Sequence, residues 1–492
     1  MVGVSLHQLL DGLPVYECRG GEQRITGIAY DSRQVQRGDL FVCIRGERFD
    51  GHDFIPQALE RGAVAVLVQE RLSLGDLPYA LVDDSRGALG SVAAKFYDYP
   101  ASKMGLIGIT GTNGKTTTTY MIRQILTTAG YKVGLFGTIQ NMIGEEILPA
   151  QRTTPESLDL QRTLAQMYEQ GVQWVVMEVS SHAIQLERIK GCSFDVGIFT
   201  NITQDHLDFH GDFASYLAVK ARFFTQLGLG PVKKDSPLAI INGDDPYYRK
   251  IMPPQGRTLL YGIHNQDLHW RGEEIIVDSQ GIAFQACRDG ERIPVRTSMT
   301  GRFNVYNALA AIACGGAIGV PGEVVAEGLR SMTGVPGRFE RVDCGQDFTV
   351  IVDYAHTPDG LENVLQAARA MTPGRLIVVF GCGGDRDRSK RPLMGAIAGK
   401  YGDYIIVTSD NPRSEDPAAI CAEIEGGLAK TGADYTVEID RRAAIDLGIS
   451  RAQRGDLVLI AGKGHETGQQ FKDYTIPFDD RQVAAEVLRE RI

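Results

Sequence analysis

Features that would direct a chain to nucleic acids, membranes or the secretory route are missing from this sequence of 492 residues. Its net charge is −10 and it holds no basic block, so nothing favours a nucleic-acid backbone or an anionic membrane. No apolar run reaches the ~20 residues that a membrane-spanning helix needs. The first residues, MVGVSLHQLLDGLP, lack the basic and apolar regions of a signal peptide. We therefore expect a soluble, cytoplasmic protein with no nucleic-acid and no membrane partner.

Paired cysteines are missing as well. The eight cysteines stand singly, with no C-x-x-C pair, which indicates free thiols in a reducing compartment rather than disulfides or a zinc site. Internal repeats and low-complexity segments are also lacking. The 43% of hydrophobic and 23% of charged residues are typical of globular proteins. At roughly 150 residues per domain, the length predicts about three domains.

The order of the apolar runs predicts an α/β protein with three domains. Residues 1–100 mix short strands with one helix near 54–61, which predicts a small N-terminal domain. Residues 101–336 alternate strands with helices, as in a doubly wound parallel sheet, with a small antiparallel insertion at 256–300. Residues 337–492 show the same alternation and predict a Rossmann-like C-terminal domain. The boundary at TGVPG has the glycines and the proline of a hinge.

Residues 104–119, MGLIGITGTNGKTTTT, predict a phosphate-binding loop. An apolar run short enough for a buried strand is followed by glycines, and a helical pattern begins at Lys115. Gly111 and Gly114 let the backbone fold around an anion, which the N–H groups of the helix start would face. Lys115 would add charge toward the outer phosphates, and Thr116 a ligand for Mg²⁺. Because isoleucine replaces the usual first glycine of such loops, a glycine-rich turn without a ligand is the alternative.

Two further strands of the central segment end in polar residues. The run 174–177 leads into Glu178, and a carboxylate just beyond a buried strand is where a Mg²⁺ ligand of a phosphate-binding domain belongs. A helix cap or a surface acid is the alternative. The run 196–199 leads into TNITQDHLDFHG at 200–211, where two histidines and two aspartates fall within six residues. This density favours a functional site.

Three polar stretches follow strands of the third segment: GGDRD at 383–387, DNPR at 410–413 and GKGHE at 462–466. Because the carboxyl ends of parallel strands meet at one edge of a sheet, we expect these stretches to converge near the phosphate loop. DNPR is also an ordinary turn sequence. In the first segment, DSR at 31–33 is likewise typical of a surface turn. The residues alone leave both alternatives open.

The loop TGTNGKT at 110–116 resembles, residue for residue, the variant phosphate loop of the Mur ligases and of the related folylpolyglutamate synthetases. The resemblance extends over nearly the whole chain. It implies an enzyme, expected to be a monomer, that activates a carboxylate with ATP and joins it to an amine. Helix capping is the alternative role for Asn304 and Asn307, which resemble adenine-side contacts of the family. The implied ATP contacts are Gly111, Thr112, Asn113, Gly114, Lys115, Thr116, Thr117, Asn304, Arg338, Asp353 and His356.

The resemblance also assigns Mg²⁺ and the residues that hold it. The segment 201–210 matches a family motif whose histidine, here His206, is a metal ligand, with Asp208 and His210 in support. On the sequence alone Lys220 is a helix lysine. The resemblance makes it the lysine that CO₂ carbamylates, which turns an ammonium into a carboxylate ligand. The implied metal ligands are Thr116, Glu178, His206 and carbamylated Lys220, and the implied catalytic residues are Lys115, Glu178, His206 and Lys220.

The acyl substrate implied by the resemblance is a UDP-muramoyl dipeptide. The N-terminal domain would hold its UDP end, and a pocket in the central domain its peptide. Arg188 can grip a carboxylate or a phosphate as a planar fork. Leu186 stands where some relatives place glutamine. The implied contacts are Ser32, Thr153, Thr154, Ser180 and Arg188.

The implied amine is meso-diaminopimelate, because DNPR selects it in the family members that add it and lysine-adding members lack the arginine. Meso-diaminopimelate is lysine with a second carboxylate, to which Arg386 and Arg413 offer forked donors. Asp410 and Glu466 can hold an ammonium. Bound lysine would leave Arg413 unpaired, which is costly. The implied contacts are Arg386, Asp410, Asn411, Pro412, Arg413, Gly462 and Glu466.

The reaction implied by the resemblance joins diaminopimelate to the D-glutamate side-chain carboxylate of UDP-N-acetylmuramoyl-L-alanyl-D-glutamate through an acyl phosphate. It belongs to cytoplasmic peptidoglycan precursor synthesis. A lysine-adding ligase and a folylpolyglutamate synthetase are the alternatives within the enzyme class. A P-loop switch or regulatory ATP-binding protein is the alternative outside it, against which the set Lys115, Glu178, His206 and Lys220 argues.

Overall fold

The structure is a computed structural model that describes residues 3–46, 49–150, 152–227, 236–278 and 280–491. Three large sheets follow one another along the chain, with five, eleven and six strands. The predicted three-domain α/β architecture is therefore confirmed. The limits at 100/101 and 336/337 stay predictions, and the terminal residues 1 and 492 lie outside the described ranges. Within those ranges, no helix combines the length and the apolar character that crossing a membrane requires.

The N-terminal sheet has the strand order β2-β7-β6-β5-β4, parallel except for β2. Apolar side chains cover both of its faces. The predicted helix near 54–61 begins with a short 3₁₀ turn, Gly51–Phe54. The elements are β1 (Val4–Ser5), α1 (Leu6–Leu10), β2 (Val15–Arg19), β3 (Arg24–Ile25), β4 (Gly27–Ala29), β5 (Asp39–Val42), α2 (Ile55–Glu60), β6 (Ala65–Val68), β7 (Tyr79–Val82) and α3 (Ser85–Phe96).

The central sheet has the order β11-β10-β9-β12-β8-β13-β14-β15-β16-β17-β18. Its first elements are β8 (Gly105–Thr110), α4 (Lys115–Thr128), β9 (Val133–Phe136), β10 (Asn141–Ile143), β11 (Glu146–Leu148), α5 (Ser157–Glu169), β12 (Trp174–Glu178), α6 (Ser181–Gln185), β13 (Val196–Phe199), α7 (Leu207–His210) and α8 (Phe213–Thr225). The others are β14 (Leu238–Asn242), α9 (Tyr248–Ile251), β15 (Arg257–Gly262), β16 (Trp270–Asp278), β17 (Gly281–Arg288), β18 (Glu291–Thr297), α10 (Arg302–Ile318) and α11 (Gly322–Arg330).

Strand β8 lies in the middle of the central sheet because its apolar side chains are buried on both faces. It runs parallel to β12 on one side and to β13 on the other. Helices α4 and α10 pack over one face, and α5 and α8 contribute to the core on the other. The strand therefore delivers the glycine loop to the centre of the sheet edge, between the ends of its two neighbours.

The segment 256–300 differs in part from the predicted separate insertion. Strands β15 and β16 continue the parallel sheet, and only β17 and β18 run antiparallel. In β18 exposed and buried residues alternate, because one face packs against α11 and the other meets solvent. The alternation of apolar and polar residues thus predicted the strands correctly, but it did not indicate which sheet they join.

The C-terminal sheet has the order β19-β20-β24-β21-β22-β23, and only β19 is antiparallel. Its central strands are buried apolar runs with helices on both faces. The elements are β19 (Glu340–Arg341), β20 (Thr349–Asp353), α12 (Pro358–Met371), β21 (Leu376–Phe380), α13 (Lys390–Tyr401), β22 (Tyr404–Val407), α14 (Pro417–Leu428), β23 (Asp434–Val437), α15 (Arg441–Arg451), β24 (Leu457–Ala461), β25 (Gly468–Gln470), β26 (Thr475–Pro477) and α16 (Asp480–Arg489).

Candidate active site

The glycine loop connects β8 to α4 as the sequence predicts. Gly111 has φ +151°, and a Cβ there would lie 1.9 Å from Thr200 Oγ1, so no other residue fits. No side chain caps the start of α4, whose first N–H groups are available to an anion. Lys115 Nζ donates to the carbonyls of Gly111 and Thr112 at 2.9 and 2.8 Å. The loop has the form of a phosphate cradle with its lysine folded over it.

A cluster of oxygen atoms lies beside this loop, around the buried carboxylate of Glu178 at the end of β12. Thr116 Oγ1 donates to Glu178 Oε2 at 3.0 Å. Thr138 donates to the same carboxylate through both its N–H (2.8 Å) and its Oγ1 (3.0 Å). Hydroxyl and carboxylate oxygens are the ligands that Mg²⁺ prefers, so this donor set fits the predicted metal.

Three histidines of the central domain lie close to one another: the His182 ring centroid is 4.9 Å from that of His206 and 5.7 Å from that of His210. His206 has φ +55°, and its Nε2 lies 3.3 Å from Asp205 Oδ2. Burial lowers the pKa of His206 to about 3, against the opposing effect of Asp205. The imidazole is therefore neutral, the form that binds metals. His210 contacts the Ser181 hydroxyl at 2.9 Å, whereas Asp208 is exposed.

Lys220 of α8 is fully buried beneath the glycine loop. Its Nζ donates to Gly111 O at 2.8 Å and lies over the Tyr216 ring. Burial, and then the charge of Lys115, lower the pKa of Lys220 well below its usual value. This shift favours the unprotonated amine, which is the form that reacts with CO₂.

A cleft of about 660 Å³ opens between the central and C-terminal domains beside the glycine loop. Asn304 Nδ2 donates to Thr300 O at 2.7 Å, and Asn307 Nδ2 donates to Asn304 Oδ1 at 2.9 Å. Asn113 Nδ2 reaches across the cleft to Asp359 Oδ2 at 2.6 Å. Of the residues predicted to bind ATP, those that line the cleft are Asn113, Gly114, Thr117, Asn304, Arg338, Asp353 and His356.

Burial in this cleft shifts the pKa values of two side chains of the C-terminal domain, Asp353 and His356. Asp353 accepts the N–H groups of Phe339 and Ala355 at 2.6 and 2.7 Å, and burial raises its pKa. Burial lowers the pKa of His356 to about 4, with a smaller effect from the charge of Lys390. The imidazole of His356 is neutral near pH 7. Its Nδ1 donates to Tyr354 O at 2.8 Å, which leaves Nε2 as a hydrogen-bond acceptor.

The predicted acyl pocket joins the oxygen cluster. Thr153 Oγ1 lies 3.1 Å from Thr138 Oγ1. Thr154 Oγ1 donates to Glu178 O at 2.8 Å and accepts the Ser180 N–H at 3.2 Å. Threonines 153 and 154 and Ser180 therefore lie next to the proposed metal ligands.

Arg188 and Ser32 are placed differently from those three residues. Arg188 Nε lies 3.0 Å from Glu156 Oε1, and Glu156 also pairs with Arg86 and Arg152. Ser32 Oγ donates to Gln57 Oε1 at 2.6 Å inside the N-terminal domain. Among the described residues, no hydrogen bond joins Ser32 to the other predicted acyl-substrate contacts, which are Thr153, Thr154, Ser180 and Arg188.

The three stretches of the C-terminal domain converge as predicted. The Gly384 N–H donates to Asn411 O at 2.9 Å, which joins the first stretch to the second. Arg413 has φ +52°, and one of its guanidinium nitrogens donates to Gly384 O at 2.6 Å. Asn411 Nδ2 donates to Glu466 Oε2 at 2.8 Å, which joins the second stretch to the third.

The charges of this pocket suit an amino acid with two carboxylates. Burial, and then the charge of Arg386, lower the pKa of Arg413. The positive charges of Arg386 and Arg413 repel each other, so an anion bound near both guanidinium groups would be stabilised. The carboxylates of Asp410 and Glu466 lie close to them, and a Cβ at Gly462 would approach Asp410 Oδ2 to 2.6 Å. One pocket thus offers both positive and negative partners.

Sequence reasoning missed several residues of this site. Thr138, which follows β9, and Asp359, which opens α12, could have been found as polar residues at strand and helix ends on the same edge. Arg86 gave no signal, because its partner Glu156 lies 70 residues away in the next domain. Asp205 was part of a noted motif, but its contact with His206 was not predicted.

Three family models match the chain. They are described as "Mur ligase family, catalytic domain", "Mur ligase middle domain" and "Mur ligase, glutamate ligase domain", and match residues 24–97, 109–315 and 337–464. The fold and the site define an ATP-utilising ligase. The chain belongs to the Mur ligase family, which confirms the resemblance drawn from the phosphate loop.

Full-length relatives and solved structures agree with this assignment. The chain is 48% identical to the UDP-N-acetylmuramoyl-L-alanyl-D-glutamate--2,6-diaminopimelate ligase of Geobacillus thermodenitrificans, over 99% of this chain and 100% of that protein. It is 46% identical to the ligase of the same name from Caldanaerobacter subterraneus, over 99% of each. A solved structure of a ligase of that name matches with a TM-score of 0.71 and 29% identity over 99% of each chain. MurF ligase from Thermotoga maritima in complex with ADP, at TM-score 0.64 and 21% identity over 94% and 96% of the chains, shares the fold.

Proposed function

We propose that this enzyme uses ATP to add meso-2,6-diaminopimelate to the D-glutamate side-chain carboxylate of UDP-N-acetylmuramoyl-L-alanyl-D-glutamate. The product is the UDP-muramoyl tripeptide of peptidoglycan precursor synthesis. Relatives at 46–48% identity over the whole chain carry the corresponding name, which supports the proposal. We propose a cytoplasmic location and a monomeric state as parts of it.

The observation that carries the proposal is the pocket at the C-terminal sheet edge. Arg413 and Arg386 supply guanidinium donors, and Glu466 and Asp410 supply carboxylates, within loops that contact one another. The far end of diaminopimelate bears both an ammonium and a carboxylate. Lysine has only the ammonium there and would leave Arg413 unpaired in a closed site.

The first half of the reaction is phosphoryl transfer from ATP to the dipeptide carboxylate. The N–H groups at the start of α4 and Lys115 would bind the phosphates, while Thr153, Thr154 and Ser180 would hold the acyl substrate against them. Thr116, Glu178 and His206 would hold Mg²⁺, which when bound supplies charge neutralisation for the transferring phosphoryl group. Catalysis in this half rests on positioning and electrostatic stabilisation.

The second half is attack on the acyl phosphate by the amine of diaminopimelate. The amine nitrogen forms the amide bond, the bond from the carbonyl carbon to the phosphate oxygen breaks, and inorganic phosphate leaves. The loops that hold the amino acid lie on the C-terminal domain, and the acyl phosphate would form on the central domain. Approach of the two domains therefore brings amine and carbonyl together.

Lys220 is proposed to be carbamylated. Its amine is buried against the glycine loop, and its lowered pKa favours the unprotonated form that CO₂ attacks. The carbamate would bring a negative charge toward the oxygen cluster. In this proposal the carbamate of Lys220 would join Thr116, Glu178 and His206 as a metal ligand.

Release of inorganic phosphate from ATP tests the proposal. The assay contains the UDP-muramoyl dipeptide and either meso-diaminopimelate or L-lysine. We expect rapid release with diaminopimelate and little with lysine. Equal phosphate release with the two amines would support the ligase reaction but overturn the proposed selectivity for diaminopimelate. Release with neither amine, from a protein that still binds ATP, would overturn the proposed reaction.

A further inference from the structure

Lys463, the second residue of GKGHE, lies buried between the GKGHE loop and the DNPR loop. Its side chain has no solvent exposure. Its Nζ donates to Asn411 Oδ1 at 3.0 Å, to Glu466 Oε2 at 3.0 Å and to Gly468 O at 2.7 Å. All three ammonium donors are thus used.

These contacts fix the amide of Asn411. Its Oδ1 accepts from both Lys463 Nζ and the Gln470 N–H (2.9 Å), so its Nδ2 must point the other way, toward Glu466 Oε2 at 2.8 Å. Lys463, Asn411 and Glu466 therefore form a closed ring of three hydrogen bonds. The ring joins the DNPR loop, which follows β22, to the GKGHE loop, which follows β24.

The ring also orients the carboxylate of Glu466. Both Lys463 and Asn411 donate to its Oε2. No hydrogen bond from the described residues reaches Oε1, and the side chain is 30% exposed. One oxygen is thus held by the protein, and the other is free for a ligand.

We propose that Lys463 is a positioning residue for amino-acid recognition, which holds Asn411 and directs Glu466 Oε1 toward the ammonium of the amino-acid substrate. This inference rests on the proposed function, because it names the group that orients a residue of that pocket. Lys463 acts through Asn411 and Glu466 and does not itself touch the substrate. We therefore expect loss of its charge to weaken binding of the amine substrate without changing phosphoryl transfer from ATP.

Replacing Lys463 with methionine keeps the length and apolar stem of the side chain and removes its charge and donors. The matched control is Lys400→Met, since Lys400 also pairs with a glutamate at 3.0 Å but is 61% exposed. The measurements are the KM values for diaminopimelate, ATP and the UDP-dipeptide, and exchange of labelled ADP into ATP without any amine. That exchange reports reversible formation of the acyl phosphate.

We expect Lys463→Met to raise the KM for diaminopimelate about tenfold to a hundredfold, because hydrogen bonds to a charged group are lost. The KM for ATP and the rate of exchange should stay within about threefold of the wild type. Lys400→Met should match the wild type in every measurement. If methionine prevents folding, as judged by thermal unfolding, Lys463→Gln replaces it with the same expected direction.

An unchanged KM for diaminopimelate in Lys463→Met would overturn the inference. So would an equal loss of exchange and of ATP affinity, since that pattern marks a general structural role. Failure of the wild-type enzyme to release phosphate with diaminopimelate would instead overturn the proposed function. The wild-type arm of the same experiment separates the two.

Discussion

Arg338 and Thr116 are 222 residues apart in the sequence, and a guanidinium nitrogen of Arg338 donates to Thr116 Oγ1 at 3.0 Å. Thr116 opens the helix that follows the phosphate loop, whereas Arg338 follows the hinge segment 333–337. The guanidinium also lies over the Tyr354 ring, 4.5 Å from its centroid. The C-terminal domain therefore brings a guanidinium to the start of α4, and we propose that this cation acts in phosphoryl transfer.

Replacing Arg338 with alanine should lower kcat by about a hundredfold or more, as loss of one donor to a developing charge does in other enzymes. ATP binding to the isolated enzyme should weaken much less, because the loop N–H groups remain. Steady-state kinetics and ATP titration measure the two effects. Arg341→Ala, which removes an exposed arginine three residues away, is the control. Equal losses in kcat and in ATP affinity would contradict a role in the transition state.

Replacing Arg413 with alanine should abolish the preference for diaminopimelate over lysine. We expect the ratio of kcat/KM values for the two amines to fall by about a hundredfold, because the second carboxylate loses its charged partner. The control is Arg388→Ala, since Arg388 is an exposed arginine that directly follows the GGDRD stretch. This variant should leave the ratio unchanged. A variant at Arg413 that keeps the full preference would show that selection resides elsewhere.

Much of this architecture could be predicted because continuous apolar runs define strands that are buried on both faces. The strand at 196–199 matches the predicted run residue for residue, and the strands at 376–380 and 457–461 are apolar throughout. The phosphate loop was equally visible, since glycine is required there by a positive φ and a close approach of Thr200. The local sequence is enough to predict a feature when the residues of a single strand or turn determine its conformation.

The remaining features depend on contacts between distant segments. Whether β15 and β16 join the main sheet is decided by pairing with β14, not by their own alternation. Lys463 looks like any polar loop residue, and only the meeting of two loops reveals its buried ring. Asp208 appeared equivalent to Asp205 in the histidine-rich motif, yet backbone geometry turns one to solvent and the other to His206.

Carbamylation of Lys220 should be visible by ¹³C NMR after equilibration with ¹³CO₂. Because burial and the charge of Lys115 lower the pKa of this amine and so favour its unprotonated form, we expect one carbamate signal. Lys220→Ala should lose both this signal and ligase activity, the latter by at least about a hundredfold. Lys132→Ala, an exposed lysine of the central domain, should keep both. A signal that persists in Lys220→Ala would assign the carbamate to another amine.

Stability should fall in mild acid because of His465. Burial, followed by the charges of Arg338 and Arg481, lowers its pKa to about 3 in the folded protein. An unfolded histidine titrates near 6.5, so between about pH 6.5 and pH 3 the unfolded state binds more protons. The free energy of unfolding therefore rises with pH in this window, by at most ~1.4 kcal/mol per pH unit from this group. Urea titrations across the window should show a shallower slope for His465→Gln, and an unaltered slope would contradict the assignment.

The neighbouring arginines 441 and 442 provide a matched test of a buried against an exposed ion pair. Arg441 and Asp480 have no solvent exposure, and the guanidinium donates to both carboxylate oxygens at 2.7 Å. The same guanidinium donates to Ser409 O and Ala461 O, just before the DNPR and GKGHE loops. Arg442 instead pairs with Glu486 at the surface.

Asp480→Ala leaves a guanidinium buried without its counter-charge and should lower the free energy of unfolding of the C-terminal domain by about 3–5 kcal/mol. Glu486→Ala should change it by no more than ~1 kcal/mol, because water screens that pair. Urea unfolding followed by a probe in the C-terminal domain measures both. Since Arg441 holds two carbonyls at the loop bases, Asp480→Ala should also raise the KM for diaminopimelate before the domain unfolds. Equal shifts for the two variants would show that the buried pair contributes no more than the exposed one.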